Sequence, residues 1–196
     1  MNYQFLSRTA LFCGIQPEEM KTMLSCLTAE TQTYEKGEMI YRAGDAAASL
    51  GVVLEVLIEH DDIWGNTTVL DSVLPGQIFA ETYACTPGEP LMVNVEAAEE
   101  SQILFLNVSR VLRSCTHACA FHGKLIRNLL ALSAQKNLNL SRKIFHTASK
   151  SIRGRLTAYL SDQAVRSGSS SFTIPFNRQQ LADYLNVDRS ALSAEL

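Results

Sequence analysis

The strongest constraint on the fold is a change of period at Asn107. Between residues 31 and 107 turn signals recur about every ten residues: Lys36-Gly37, Ala43-Gly44-Asp45, Asp61-Asp62, Gly65-Asn66, Pro75-Gly76 and Pro87-Gly88. Short apolar runs lie between them, over 39–41, 51–54, 56–58, 67–70, 92–95 and 103–106. Short strands at that spacing predict an all-β sandwich or barrel. From 108 to 149 there is one glycine, Gly123, and no proline. That stretch predicts a short helix followed by one of about seven or eight turns.

On the long helix Phe121, Leu125, Leu129, Leu132 and Leu140 mark one face, with Ile126 and Leu130 beside it. An exposed helix of this length needs a partner. A parallel, coiled-coil-like homodimer through Leu125, Leu129 and Leu132 is the economical solution, although Lys136 and Asn139 interrupt the register. The alternative is a helix packed on its own β domain. Upstream, residues 12–27 read as a helix, with Pro17-Glu18-Glu19 suited to a first turn. Downstream, 153–166 is a helix, 167–171 a serine-rich loop and 172–175 a short strand. The organisation read from this is a β-rich domain with an N-terminal helix over 1–107, a helical linker and dimer helix over 108–149, and a C-terminal domain over 150–196.

The net charge of −3 hides an asymmetry. Residues 1–140 hold 9 Lys/Arg against 16 Asp/Glu, and residues 141–196 hold 8 against 4. An acidic body with a basic end fits a nucleic-acid-binding terminus, with chance surface variation as the bland alternative. No apolar run approaches the roughly 18 residues of a spanning helix, so no membrane partner is expected. Met1-Asn2-Tyr3-Gln4 lacks the basic start of a signal peptide, and a cytoplasmic location follows. Five cysteines, an odd number, do not suggest a disulfide framework. No nucleophile–base pattern, Walker loop or Rossmann fingerprint is present, which argues against an enzyme.

The last twenty residues or so carry the most specific signal. Asn177 with Gln180 three residues on forms a capping-box pattern. Leu181 and Leu185 face inward, and Ala182 lets a crossing helix approach. Asn186 stands where the turn needs a left-handed residue. Asp188 caps a second helix whose Leu192 and Leu196 face the core. This is a helix-turn-helix pattern. Its second helix would offer Arg189, Ser190 and Ser193 to the major groove of double-stranded DNA, with Arg178 and Gln179 placed for phosphates.

Taken together the chain resembles the superfamily of the cyclic-AMP receptor protein and the fumarate–nitrate-reduction regulator (CRP/FNR), bacterial transcription regulators. Tyr34-Glu35-Lys36-Gly37-Glu38-Met39-Ile40-Tyr41-Arg42-Ala43-Gly44-Asp45 resembles its opening strands. Pro75-Gly76-Gln77-Ile78-Phe79-Ala80-Glu81 resembles its phosphate-binding cassette, and Phe176-Asn177-Arg178-Gln179-Gln180-Leu181-Ala182-Asp183-Tyr184-Leu185 with Asp188-Arg189-Ser190 its DNA-binding motif. The resemblance implies an α+β fold: a cyclic-nucleotide-binding-like β-roll (a jelly-roll barrel), a long dimerisation helix and a C-terminal winged helix-turn-helix, truncated in this chain. It implies an effector-responsive homodimer that binds palindromic promoter DNA, with RNA polymerase as a partner. The effector pocket would comprise Gly76, Phe79, Glu81, Thr82, Leu91 and Met92.

Departures from the family pattern bear on the effector, whose identity stays open. Ala80-Glu81 stands where cyclic-nucleotide binders have Gly-Glu, and Leu91-Met92 stands where they have Arg-Ser. A buried phosphate without a cation or donor is costly, so cyclic AMP is not the expected ligand. Cys115, Cys119 and His122 would share a helical face and are candidate ligands for a metal, haem or redox site, with Cys85 able to approach. The alternative is that both cysteines are buried core residues and the histidines are solvated. A ligand-binding module without DNA binding is a further alternative. The turn near Glu55-Val56 lacks the family's glycine, and the sequence stops at Leu196 inside the recognition helix. Both features suggest a partial view of a longer protein.

Overall fold

The computed structural model describes residues 1–55, 58–62, 72–113 and 120–196. The chain divides into two compact units, Met1–Ser133 and Ala134–Leu196.

In the first unit, helices α1 (Tyr3–Arg8) and α2 (Pro17–Cys26) precede the strands. Pro17 opens α2 behind a capping box in which Gln16 and Glu19 exchange side-chain and backbone bonds. Strands β1 (Glu30–Tyr34), β2 (Met39–Tyr41), β3 (Ser49–Glu55), β4 (Ile58–Asp62), β5 (Ser72–Val73) and β6 (Ile78–Phe79) follow. After the short helix α3 (Glu81–Ala84) come β7 (Val93–Ala97) and β8 (Ser101–Asn107). They form two antiparallel four-stranded sheets, in the orders β1-β8-β3-β6 and β2-β7-β4-β5.

The expected jelly-roll barrel is not what forms. Neither sheet closes: β1 and β6 are the edges of one, β2 and β5 the edges of the other, and among the described residues no strand of one sheet pairs along its length with a strand of the other. Closure requires edge strands long enough to bond to each other. Here β5 and β6 have two residues each, and the β2 register slips between Met39 and Tyr41. Turn spacing is the same in open and closed sheets, which is why the sequence pattern did not distinguish them.

Within the first sheet β3 and β8 are covered on both faces, which explains their uninterrupted apolar runs, whereas the edge strand β1 is largely exposed. Leu50, Val52, Leu54, Leu104 and Leu106 face a core shared with Leu6, Phe12, Met20, Met23, Leu27, Leu125 and Leu129. Val53, Ile103 and Phe105 face the second cluster, where Ile40, Tyr41 and Val95 of the other sheet meet them. Phe79 lies across β3 at Gly51, where an added Cβ would sit 2.1 Å from the ring.

Helix α4 (Val108–Leu112) and the 28-residue α5 (Ala120–Thr147) follow. Asn128 Nδ2 donates to the carbonyls of Leu11 and Cys13, both at 2.9 Å, and Lys124 Nζ to that of Gly14 at 2.6 Å. The second unit adds α6 (Ile152–Ser167), α7 (Arg178–Leu185) and α8 (Arg189–Glu195) around Leu156, Tyr159, Leu181, Leu185 and Leu192. No strand forms over 172–175, and Leu196 is exposed rather than in the core. The expected strand over 67–70 lies outside the described residues, as do residues 56 and 57 of the turn in question.

Candidate effector and nucleic-acid sites

The cassette region is built on a turn and a short helix. Gly76 has φ 84° and donates its N–H to Val53 O at 2.7 Å. Ala80 precedes α3 in the left-handed region at φ 57°, a conformation costing a non-glycine residue about 1–2 kcal/mol. Glu81 is buried at the start of α3, and Thr82 beside it is exposed.

The expected effector residues therefore divide. Phe79 and Leu91 share the cluster between the sheets, whereas Met92 is 67% exposed and bonds through its N–H to Tyr83 Oη at 3.4 Å. The sequence reading missed Tyr41 and Phe105, whose rings meet Phe79 edge-on at 6.2 and 6.4 Å. Their period-two placement in β2 and β8 was the available signal. Tyr41 donates its hydroxyl to Ser49 O at 2.9 Å, and burial pushes its pKa up to about 12. The cluster's described members are aliphatic and aromatic side chains, with nothing cationic to meet a phosphate. A separate groove of about 250 Å³ is lined by Thr28, Glu30, Ser49, Phe105, Asn107 and Arg110.

Of the candidate metal ligands, Cys115 and Cys119 lie outside the described residues. His122 is 6% exposed, beside the Phe121 ring, and neither imidazole nitrogen has a hydrogen-bond partner among the described residues. Cys13, Cys26 and Cys85 are exposed and in no disulfide, and no group of three His, Cys, Asp or Glu side chains among the described residues could hold a metal ion. Burial, then the Glu81 carboxylate, pushes the Cys85 thiol up.

On α5, Leu125 and Leu129 are buried in the first unit's own core, and Leu132 packs against it. The exposed apolar residues of this helix are Leu130, Leu138, Leu140, Ile144 and Phe145.

In the second unit the local signals act as their chemistry dictates. Asn177 Oδ1 accepts from Gln180 N while Gln180 Oε1 accepts from Asn177 N, both at 2.9 Å. Asn186 ends α7 in the left-handed conformation, at φ 52° and ψ 54°. Asp188 caps α8, and the Ser190 hydroxyl and Ala191 N–H bonded to its carboxylate hold it below the usual range. Arg178, Gln179, Arg189 and Ser190 are exposed, Ser193 is half-buried, and Gln179 Nε2 donates to Asp183 Oδ1 at 2.8 Å. Sequence reasoning missed Arg155. Its Nη1 donates to Leu185 O at 3.0 Å and Asn186 O at 2.8 Å, and its Nε to Ser149 O at 2.8 Å, so it clamps the turn between α7 and α8. No local pattern marks such a long-range contact.

Residues 31–117 match the family model of the cyclic nucleotide-binding domain. The match covers rather less than half of the chain and lies within the first unit. No curated protein sequence matches the chain. Among solved structures it is similar to the catabolite activator protein of Thermus thermophilus, at 22% identity and a TM-score of 0.57, over 95% of this chain and 84% of that one. It is also similar to DNR of Pseudomonas aeruginosa, at 17% identity and TM-score 0.52, over 98% and 84% of the two chains. It is similar as well to the N-terminal domain of a Streptomyces coelicolor A3(2) transcriptional regulator, at 19% identity and TM-score 0.55, over 68% of this chain and 94% of that one. At these identities the likeness is one of fold. No helix among the described residues is long and apolar enough to cross a membrane.

Proposed function

We propose that this chain is an effector-responsive transcription regulator that reads promoter DNA through α7 and α8 and works as a homodimer in the cytoplasm, with RNA polymerase as its downstream partner. One observation carries the reading: two capped helices, joined at the left-handed Asn186 and clamped by Arg155, leave Arg178, Gln179, Arg189 and Ser190 exposed on the basic end of an otherwise acidic chain. Arg189 at the first turn of α8 would reach a guanine edge in bidentate fashion, and Ser190 and Ser193 would add base contacts. Arg178 and Gln179 would fix the register on phosphates. Arg189→Ala is expected to weaken binding to a selected operator by about 1–3 kcal/mol while leaving random DNA nearly unaffected. Fluorescence anisotropy against both DNAs, over a salt series, checks it. Equal losses on both would remove α8 from base reading.

The exposed apolar residues of α5 support self-association. Leu130, Leu140 and Ile144 recur at intervals suited to a coiled-coil seam, one position round the helix from the buried Leu125 and Leu129. Leu140→Glu is expected to convert dimer to monomer in sedimentation. An intact dimer would move the interface elsewhere.

For the signal, the uncharged inter-sheet cluster favours an effector other than a cyclic nucleotide. A second reading concerns His122, whose buried imidazole has no hydrogen-bond partner among the described residues, which favours a metal or redox signal received with Cys115 and Cys119. Metal analysis and visible absorbance of anaerobically purified protein, with Cys115→Ser and Cys119→Ser, test it. Metal-free, colourless protein would leave these side chains as packing.

A further inference from the structure

Within the second unit, the last turn of α5 carries a buried histidine that touches both neighbouring helices. His146 is 1% exposed. Its Nδ1 lies 2.9 Å from Tyr184 Oη on α7, and its Nε2 lies 3.4 Å from Asp162 Oδ2 on α6. The Tyr159 and Tyr184 rings enclose it, at centroid distances of 5.4 and 5.9 Å. These two partners select one neutral tautomer. In that tautomer the Nδ1 lone pair accepts from the Tyr184 hydroxyl, while Nε2 carries the proton near the Asp162 carboxylate without hydrogen-bond geometry, so Nε2 and Oδ2 are buried with no hydrogen-bond partner among the described residues.

We propose that His146 is a proton-sensitive latch, which holds α6 and α7 to the end of α5 while its imidazole is neutral and loosens them when it is protonated. A proton on Nδ1 turns that nitrogen into a donor, so the Tyr184 hydroxyl loses its acceptor. The nearby Tyr159 hydroxyl is already buried without a partner among the described residues. Of the charges facing the ring, the three cations oppose a further positive charge and the Asp162 carboxylate favours it. From α5 come Arg142 and Lys143, the latter with Nζ 5.9 Å from the centre of the Tyr184 ring. From α6 come Asp162 and Arg166, whose Nη1 lies 3.9 Å from the same Oδ2 and competes for it. From α7 comes Tyr184.

Burial is the largest influence on the imidazole and lowers its pKa. Asp162 raises it, and Arg142 and Arg166 lower it further. A histidine held below its ordinary value contributes stability that is complete above about pH 6.5 and is lost as the pH falls toward the folded value. The latch is therefore closed at neutral pH and opens on acidification. Its consequence for DNA binding rests on the reading above, since α7 carries Arg178 and Gln179.

The test is a ring-proton NMR titration of the full chain from about pH 8 to 5, with His146 assigned by His146→Gln. Amide exchange in α6 and α7 is followed in parallel and corrected for intrinsic pH dependence. The midpoint is expected below 6.5, the ordinary value of the group. Opening of α6 and α7 is expected to rise by up to about tenfold between pH 7.5 and 5.5, the limit set by an ordinary imidazole in the open state. His146→Gln should flatten that rise, and Asp162→Asn, which keeps the histidine, should lower the midpoint further. A midpoint at or above 6.5, or an unchanged rise in His146→Gln, overturns the latch. If that variant does not fold, the wild-type and Asp162→Asn midpoints decide. Operator binding over the same range separates the two ideas: absence of binding at every pH refutes the DNA reading and leaves the latch standing.

Discussion

Two aromatic clusters, one in each unit, are made of similar side chains and wired differently. Between the sheets Tyr34, Tyr41, Phe79 and Phe105 meet edge to face, and the tyrosine hydroxyls are bonded to Gln32 and to the Ser49 carbonyl. In the second unit Tyr159 and Tyr184 pack on His146, and Phe176 packs on both tyrosines. Among its described members the first cluster holds no group that titrates near neutrality. For Tyr41, burial raises the pKa to about 12, so its contribution is complete below about pH 10 and is lost only as the pH rises toward 12. The second cluster has an imidazole at its centre and responds on the acid side. What an aromatic cluster does depends less on its rings than on the polar atom they enclose.

The largest effect that would break this comparison is truncation of the inter-sheet ring. Phe79→Ala is expected to destabilise the first unit by about 3–5 kcal/mol, read by chemical denaturation, because Gly51 leaves the ring's volume unfilled. A loss under about 1 kcal/mol would mean that the interior is not packed on Phe79. Next comes a paired removal of hydroxyls. Tyr184→Phe leaves His146 Nδ1 without its donor and should cost about 1–3 kcal/mol near neutral pH. Tyr41→Phe gives up one bond to a backbone carbonyl, about 0.5–1.5 kcal/mol, and should be flat from pH 5 to 9. Equal, pH-independent losses would erase the distinction between the clusters. The smallest change sharpens it: Ala80→Gly relieves the left-handed strain before α3 and should stabilise the first unit by about 0.5–1 kcal/mol, seen as a raised melting temperature.

The helical second unit was the more legible. The Asn177–Gln180 box, Asn186 and Asp188 act through contacts no more than four residues away, so the sequence displays both partners. The α5 pattern was legible as a helix but not as a choice of face. Leu125 and Leu130 are equally apolar, and only the packing of α1 and α2 decides which is buried. The cassette region was legible as a turn before a short helix. Its aromatic neighbours come from β2 and β8, far apart in the chain, so composition alone did not assemble them.

The sequence by itself therefore determined what local chemistry controls: the strand-rich half, the long helix after Asn107, and the capped helix pair with its exposed arginines. The tertiary structure decided that the sheets stay open, that Leu125 and Leu129 turn inward, and that Arg155 and His146 reach across to the turn and to α7. Those outcomes depend on which surfaces meet, and hydrophobic burial rewards contact without specifying a partner until the whole chain is packed.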